Sequence, residues 1–433
     1  MFCRDNARSG RIDLESFETH IRSSMHGIGS IMLEKLLNAD GGDYRGRTIP
    51  CGNGHVFEFI EYRDKGLLTV LGNVKVKRAY YYDKECKTGI CPKDNALGVE
   101  GTSISPGVQR IMARVGAYRP FGLGEEDIRE MAGISVNAKE IERVSHKLGE
   151  EVEGFIKEQA VTSLTESEKV ISIKTIPKLY ICMDGTGIPV VKAETANRQG
   201  KGADGQAKTR EVKLGCVFTQ TDLDEKGYPV RDGGSTTYVG AIETAEEFSP
   251  RIYAEAKRRG IDKAEKICVI GDGAHWIWNI ADEQFYGATQ IVDLYHAREH
   301  YWNVARVFFG NDEFKMKEWA RRRREELDAG KVEDVIAAIK ALSPSAEKTK
   351  EVCERENGYF EKNKNRMRYN EFRRLGLFVG SGVLEAGCKS VIGQRLKQSG
   401  MHWTVKGANS IIAMRCCFFS NRWEDFWDYR AAA

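Results

Sequence analysis

Two apolar runs that each lead into an Asp-Gly step constrain this chain more than any other feature. Leu179-Tyr180-Ile181-Cys182-Met183 leads into Asp184-Gly185-Thr186-Gly187, and Lys266 to Ile270 leads into Gly271-Asp272-Gly273. Short continuous apolar runs of this kind read as buried strands. A Gly after the Asp lets the backbone turn sharply without a side chain in the way. Ligands of open α/β sheets gather at strand carboxyl ends, which is where both carboxylates would emerge. A single Asp-Gly is most often a plain turn; two of them, each ending an apolar strand, point to a site.

The surrounding sequence supplies the rest of a sheet. Ile188 to Lys192 reads as a hairpin partner of the first run, Val212 to Thr219 and Thr236 to Ala241 as further strands, and Phe248 to Arg259 as a helix. Thr289 to Asp293 reads as another strand, running into a helix from Tyr295. The expected class is α/β, a mixed sheet flanked by helices. Residues 297–370 are highly charged and helical with no strand signal, so they read as an insertion. The core resumes at Leu377-Phe378-Val379-Gly380-Ser381-Gly382, followed by a helix from Val383 to Lys397. The aromatic-rich segment Trp423 to Tyr429 is expected to pack back on the core.

Ahead of this core the character changes twice. Residues 12–38 carry helical periodicity, with Leu33, Leu36 and Leu37 on one face. Residues 47–98 read as short antiparallel strands broken at Gly66 and Gly72. Residues 105–150 return to helix: Glu125 to Ala132, a tight turn at Gly133-Ile134-Ser135, then Val136 to Leu148 with Asn137 or Ser135 as cap. Helix, Gly turn, helix is the pattern whose second helix can lie in a major groove, and it also occurs as plain helical packing.

Bulk composition is less informative. At 433 residues the chain exceeds a single core, and a net charge of +3 does not announce a nucleic-acid partner. Local runs do more. Lys362 to Arg374 and Lys389 to Lys406 are basic with interleaved aromatics, whereas Arg321 to Arg324, followed by Glu325 and Glu326, read as a solvated helix face. The cysteines are too dispersed for a disulfide framework, and Cys182, Cys216 and Cys268 sit in apolar runs as buried thiols. Only Cys51, Cys86 and Cys91, with His55 nearby, invite a metal. No apolar run is long enough to cross a bilayer and the start lacks a signal-peptide core, so a soluble, cytoplasmic protein without membrane partners is expected.

Glu385 opens the helix after the insertion, with Lys389 four residues on along the same face. Three carboxylates converging on one point repel each other unless cations bridge them. Hard oxygen ligands suit Mg²⁺ or Mn²⁺, and two such ions about 4 Å apart can activate an attacking oxygen and stabilise a leaving one.

At this point the residues reach a family. The segments Met183 to Gly187, Gly271 to Trp278, Asp293-Leu294-Tyr295-His296-Ala297-Arg298-Glu299-His300, Gly380 to Lys389 and Gly393 to Trp403 resemble the bacterial insertion-sequence transposases of the ISKra type. The resemblance runs from about residue 28 to residue 427. These enzymes look like relatives of the Mutator-like group, with a ribonuclease H-like core interrupted by a helical insertion before the catalytic Glu. The resemblance implies a DDE transposase that cleaves and joins DNA strands with two divalent ions, Asp184, Asp272 and Glu385 being the acids. It implies that Asp293 and His296 form the group's Asp-x-x-His signature, positioned to orient DNA or a flipped nucleotide or simply to brace the helix. Its partners would be double-stranded DNA, both the element's terminal inverted repeats and the target, engaged by a dimer or larger assembly near the nucleoid.

Lys389, Arg395 and Lys397 are candidate phosphate contacts, and His402 and Trp403 candidate stacking partners for a base. Lys139, Arg143 and Lys147 would face the groove in the helix-turn-helix reading. The expected domains are a helical segment (1–46), a zinc-ribbon-like β module (47–98), the helix-turn-helix region (99–150), a connector (151–176), the ribonuclease H-like core (177–300 and 376–433) and the helical insertion (301–375). The family's ribbon carries two Cys pairs, but here Asn53 and Asp83 occupy two of the four positions. Either Cys51, His55, Cys86 and Cys91 form a rearranged tetrahedral zinc set, or the module no longer binds zinc and is held by its apolar residues, the reading preferred from sequence. Two other functions compete: a transposase-derived DNA-binding protein without activity, and an actin- or sugar-kinase-like ATPase in which Asp184 to Gly187 is a phosphate-gripping turn.

Overall fold

The computed structural model describes residues 13–165, 175–196, 198–200 and 206–432, and the chain divides into two units between Lys147 and Leu148. In the first unit, helix α1 (Leu14–Leu37) precedes four strands, β1 (Thr48–Pro50), β2 (Val56–Thr69), β3 (Gly72–Asp83) and β4 (Thr88–Ile90). They form an antiparallel sheet in sequence order. Strand alternation explains its core. Val74 and Val76 of β3 pack with Leu67 and Val99 beneath Leu33 and Leu37 of α1, while Ala79 and Tyr81 pack with Phe57, Ile49 and Ile90.

Helices α2 (Pro92–Ala96), α3 (Pro106–Tyr118) and α4 (Phe121–Ala132) follow, and α4 ends at Gly133 in the left-handed conformation. Helix α5 (Ala138–Thr165) begins at Asn137, not Ser135. The Asn137 side chain accepts from the Glu140 N–H at 2.9 Å, and the Glu140 carboxylate accepts from the Asn137 N–H at 3.2 Å, a reciprocal cap. Both helices are longer than the sequence pattern predicts, and α5 continues past Lys147 into the second unit.

The second unit is built on β5 (Ile176–Pro189), β6 (Thr209–Gln220), β7 (Thr237–Ala241), β8 (Ala264–Gly271) and β9 (Thr289–Val292). Helix α6 (Ala245–Arg258) precedes β8, and α7 (His275–Gln284) links β8 to β9. The sheet order is β7-β6-β5-β8-β9. β6 runs antiparallel to both β5 and β7, whereas β8 and β9 run parallel to β5. This mixed sheet is compatible with the ribonuclease H-like core expected from the sequence. Leu179 to Met183 are buried, as central strands covered on both faces must be, and Cys182, Cys216 and Cys268 are buried free thiols.

One sequence expectation is overturned here. Asp184 to Gly187 do not turn, and Ile188 to Lys192 are not a hairpin partner. β5 runs on to Pro189, paired residue by residue with β6 as far as Thr209. Gly185 lies beside the end of the Glu211 side chain on the neighbouring strand, which comes 2.6 Å from where a Cβ on Gly185 would be. The phosphate-gripping turn of the kinase reading is therefore not formed.

After β9 the chain is helical, through α8 (Leu294–Phe309), α9 (Glu313–Asp328), α10 (Val332–Lys340), α11 (Glu347–Asn363) and α12 (Tyr369–Arg374). It rejoins the sheet at Phe378, whose N–H donates to the Tyr180 hydroxyl at 3.3 Å. Helix α13 (Gly382–Gly387) runs into a π-helical stretch, Cys388–Gly393, and then α14 (Gln394–Leu396). Helices α15 (Val405–Phe419) and α16 (Trp423–Ala432) close the unit. Buried Arg415 of α15 donates to the carbonyl of Val391 at 2.6 Å and to that of Ser390, supplying partners where the widened helix alters its own bonding.

α5 crosses α15 with the backbones nearly touching: a Cβ on Gly149 would lie 2.3 Å from the Ser410 carbonyl oxygen. Backbone cannot yield as a side chain can, so Gly149→Ala is expected to destabilise this unit by about 1–3 kcal/mol. A lower melting temperature and denaturation midpoint are the measurements, and an unchanged midpoint would refute the close crossing.

Candidate active site

The site follows from strand register. β5 and β8 pair in parallel up to Met183 opposite Gly271, so the next residues, Asp184 and Asp272, leave the pairing side by side. Both are half-buried. Asp184 stays within β5 because β6 continues beyond the point where β8 stops. Its Oδ1 accepts from the Gly185 N–H at 2.7 Å, and its Oδ2 accepts from the Cys388 thiol at 3.3 Å. Asp272 begins a turn in which its Oδ1 accepts from the Ala274 N–H at 2.8 Å. Gly273 has φ +103 and lies against Tyr359, so here the glycine is required by the backbone itself.

Burial pushes the Asp184 carboxyl above its ordinary value, and the negative charge of Asp272 adds to this. The Cys388 thiol, the Gly185 N–H and the His296 imidazole oppose the rise. Among the described residues neither Asp184 nor Asp272 makes a salt bridge. Cys388 is itself held protonated by burial and by Asp184.

Asp293 follows β9 as Asp272 follows β8. Its Oδ1 caps α8 by accepting from the His296 N–H at 2.8 Å, and its Oδ2 accepts from the N–H of Ser381, the residue before α13. One buried carboxylate thus fixes the start of two helices. The His296 ring is half-exposed, 5.3 Å from the His300 ring and 3.7 Å from the Glu299 carboxylate.

Glu385 lies on α13, one turn before Cys388. Its carboxylate is 62% exposed and paired with Lys389 at 2.6 Å. Asp184, Asp272 and Glu385 do not form a group with all ligand atoms within 4.8 Å of one another. The helix that carries Glu385 is nevertheless tied to the site through Cys388. Lys397, exposed, donates to the Thr186 hydroxyl, two residues along β5 from Asp184.

Two expected DNA contacts are corrected. Arg395 is fully buried, its guanidinium 4.9 Å from the Trp403 ring, and burial beside Arg415 holds it down to about 10. Trp403 is only 7% exposed, and its indole N–H donates to the Leu396 carbonyl at 3.1 Å. Their chemistry is taken up by core packing. His402 is exposed, with its Nδ1 3.4 Å from the Val190 carbonyl. In the first unit Lys139, Arg143 and Lys147 are exposed along one face of α5, Lys139 paired with Glu142 at 2.8 Å. Cys51 and His55 approach Cys86, but Cys91 does not join them; it sits at the start of α2 beside Arg78 and Asp94.

Sequence reasoning missed the support behind Asp272. The Tyr359 hydroxyl of α11 donates to the Asp272 carbonyl at 2.8 Å, and its ring stacks on His300 at 3.5 Å. His300 is in turn bonded to the buried Glu356 carboxylate. Nothing local in the sequence marks Tyr359, since its partner lies on another element. Beside it a cleft of about 600 Å³ opens between α7 and α11, lined by His275, Trp278, Arg355, Lys362 and Arg366.

No family model matches this chain, and no curated protein matches it. Among solved structures it is similar to the Drosophila P element transposase strand transfer complex, at 9% identity over 55% of this chain and 76% of that one, with a TM-score of 0.26. At that score the likeness carries no weight for function. No described helix is long and apolar enough to cross a membrane.

An acid whose carboxyl is raised by folding stabilises the fold less as pH rises through its raised value. Asp184→Asn removes that penalty. In metal-free buffer the variant is expected to melt above the wild type at neutral pH, the difference shrinking as acid protonates Asp184. Thermal melts across this range are the check; a variant that melts lower at neutral pH counts against a strained carboxylate.

Proposed function

We propose that the second unit is the catalytic core of a DNA transposase, cleaving and joining DNA strands by metal-dependent phosphoryl transfer. The observation that carries this reading is the pair Asp184 and Asp272 at adjoining parallel strand ends, half-buried and without a salt bridge. Such a pair fits a divalent cation: each carboxylate keeps oxygen lone pairs to offer, and a cation would relieve both burial and mutual repulsion. Asp184, Asp272 and Glu385 would hold Mg²⁺ or Mn²⁺. When bound, these ions make an attacking water or hydroxyl more acidic and balance charge on the departing oxygen.

The chain's own residues then position DNA. Lys397 beside Thr186 is a cation for a backbone phosphate next to the site, and Lys389 is a second once Glu385 is engaged elsewhere. Asp293 acts as a positioning residue, holding the start of α13. In the proposed reaction water attacks a phosphodiester at the element's end and the bond to the 3′ oxygen breaks. The freed 3′-hydroxyl then attacks a target phosphodiester in line, and the target's own bond from phosphorus to its 3′ oxygen breaks, leaving a 3′-hydroxyl on the target. Lys139, Arg143 and Lys147 would contact the duplex backbone in the helix-turn-helix reading, and two DNA ends call for at least two copies of the chain.

The exposure of Glu385 favours a second reading, a DNA-binding relative that keeps the acids but does not cut. One experiment separates the two. Purified chain is incubated with Mg²⁺ or Mn²⁺ and a supercoiled plasmid carrying the gene with its flanking DNA. Breaks mapping to the element's ends are expected. Asp184→Ala, Asp272→Ala and Glu385→Ala should each slow them at least ~100-fold while leaving gel-shift binding intact. Binding without cutting, or an Asp184→Ala chain as active as the wild type, would overturn the catalytic reading.

A further inference from the structure

A second set of donors lies in the first unit, outside the proposed reaction. The β1–β2 connection, Cys51-Gly52-Asn53-Gly54-His55, is closed by the Cys51 N–H donating to the His55 carbonyl at 2.8 Å. The β3–β4 connection is closed by Asp83, whose Oδ1 accepts from the N–H groups of Glu85 at 2.9 Å and Cys86 at 3.1 Å. Together these turns bring four candidate ligands of three types, two thiols, an imidazole and a carboxylate, near one another. Cys51 Sγ lies 3.8 Å from Cys86 Sγ, and His55 Nδ1 lies 3.4 Å from Cys86 Sγ and 3.9 Å from Asp83 Oδ2. Among the described residues, Cys51, Asp83 and Cys86 are the one trio of His, Cys, Asp or Glu with ligand atoms all within 4.8 Å of one another.

Asp83 supplies an independent observation. It is 1% exposed, and while Oδ1 is satisfied, Oδ2 has no hydrogen-bond partner. Buried carboxylate oxygens are seldom left so; this one lies 3.9 Å from His55 Nδ1, and the Asp83 carboxylate shares one tight group with both sulfurs. Two of the spacings fit a tetrahedral ion, since Zn–S bonds of ~2.3 Å separate two thiolates by ~3.8 Å, and a thiolate from an imidazole nitrogen by ~3.5 Å; His55 stands outside the trio whose ligand atoms all lie within 4.8 Å of one another.

We propose that Cys51, His55, Asp83 and Cys86 bind one zinc ion, with Asp83 rather than Cys91 completing the set. The residue that counts from sequence as a lost ligand is thus an exchanged one, oxygen for sulfur. Asn53, at the other altered position, donates its amide to Cys86 Sγ at 3.6 Å and supports the thiolate from outside the set. Binding converts two thiols to thiolates and releases their protons. All four ligands belong to the first unit, so the inference stands or falls independently of the catalytic reading.

The full chain, purified under reducing conditions, should contain about one zinc per molecule by elemental analysis. Replacement with Co²⁺ should give thiolate-to-cobalt charge transfer and the visible bands of a tetrahedral ion. Asp83→Asn and Cys51→Ser should weaken zinc binding at least ~10-fold, Cys91→Ser should leave it unchanged, and Asp83→Cys should bind at least as tightly as the wild type. The last variant guards against a mere folding defect in Asp83→Asn. The proposal is overturned by a reduced chain that takes up neither zinc nor cobalt, or by metal binding that needs Cys91 and not Asp83. An Asp83→Cys chain that binds no metal would also overturn it. So would a Cys51–Cys86 disulfide whose reduction restores no binding.

Discussion

Like charges held side by side in a half-buried cleft repel, and the parallel pairing of β5 with β8 makes that placement unavoidable in the second unit. The two strands end their pairing at the same level, so the next residue on each, Asp184 and Asp272, emerges at one edge. Much of the surrounding structure answers this strain. Asp184 is met by a thiol, a backbone N–H and an imidazole in its neighbourhood, and Asp272 by the backbone of its own turn. Tyr359 pins the peptide of Asp272 from outside the sheet, so the helical insertion fixes the shape of the edge that carries the two acids.

Asp293 shows how the same strand-end geometry serves a different purpose. It stands one strand further along, yet both of its oxygens are taken by backbone N–H groups, one opening α8 and one preceding α13. Its work is to hold the Glu385 helix against the sheet that carries Asp184 and Asp272.

The sequence was most legible where apolar runs meet their punctuation. β8 with Asp272 is legible directly, because the run, the acid and the following turn all lie in one local stretch; β9 is legible as a strand, while Asp293 stands out only through the family resemblance. Asp184 was placed on the right strand but at a supposed turn. Gly185 and Gly187 look like turn residues, whereas both are paired with residues of β6, a cross-strand partnership that no local window contains. Arg395 and Trp403 failed for a related reason. A basic and an aromatic residue near a site resemble a nucleic-acid surface, and only the seating of the Arg395 guanidinium against the Trp403 ring shows that both are buried. Asp83 was discounted because it is not cysteine. Its closeness to Cys51 and His55 depends on two hairpins meeting, which composition does not reveal.

The π-helical stretch from Cys388 to Gly393 has a consequence for what this region can tolerate. A turn of that kind holds one residue more than an α-helical turn, so it resets the rotational phase of everything beyond it. At its first residue, Cys388 meets Asp184; after it, Arg395 points inward to Trp403. Deleting a single residue there would restore ordinary winding and swing one set of side chains about a quarter-turn relative to the other. Either the acid-bearing face or the buried arginine would then be misdirected. The segment should therefore accept changes of residue type more readily than any change of length.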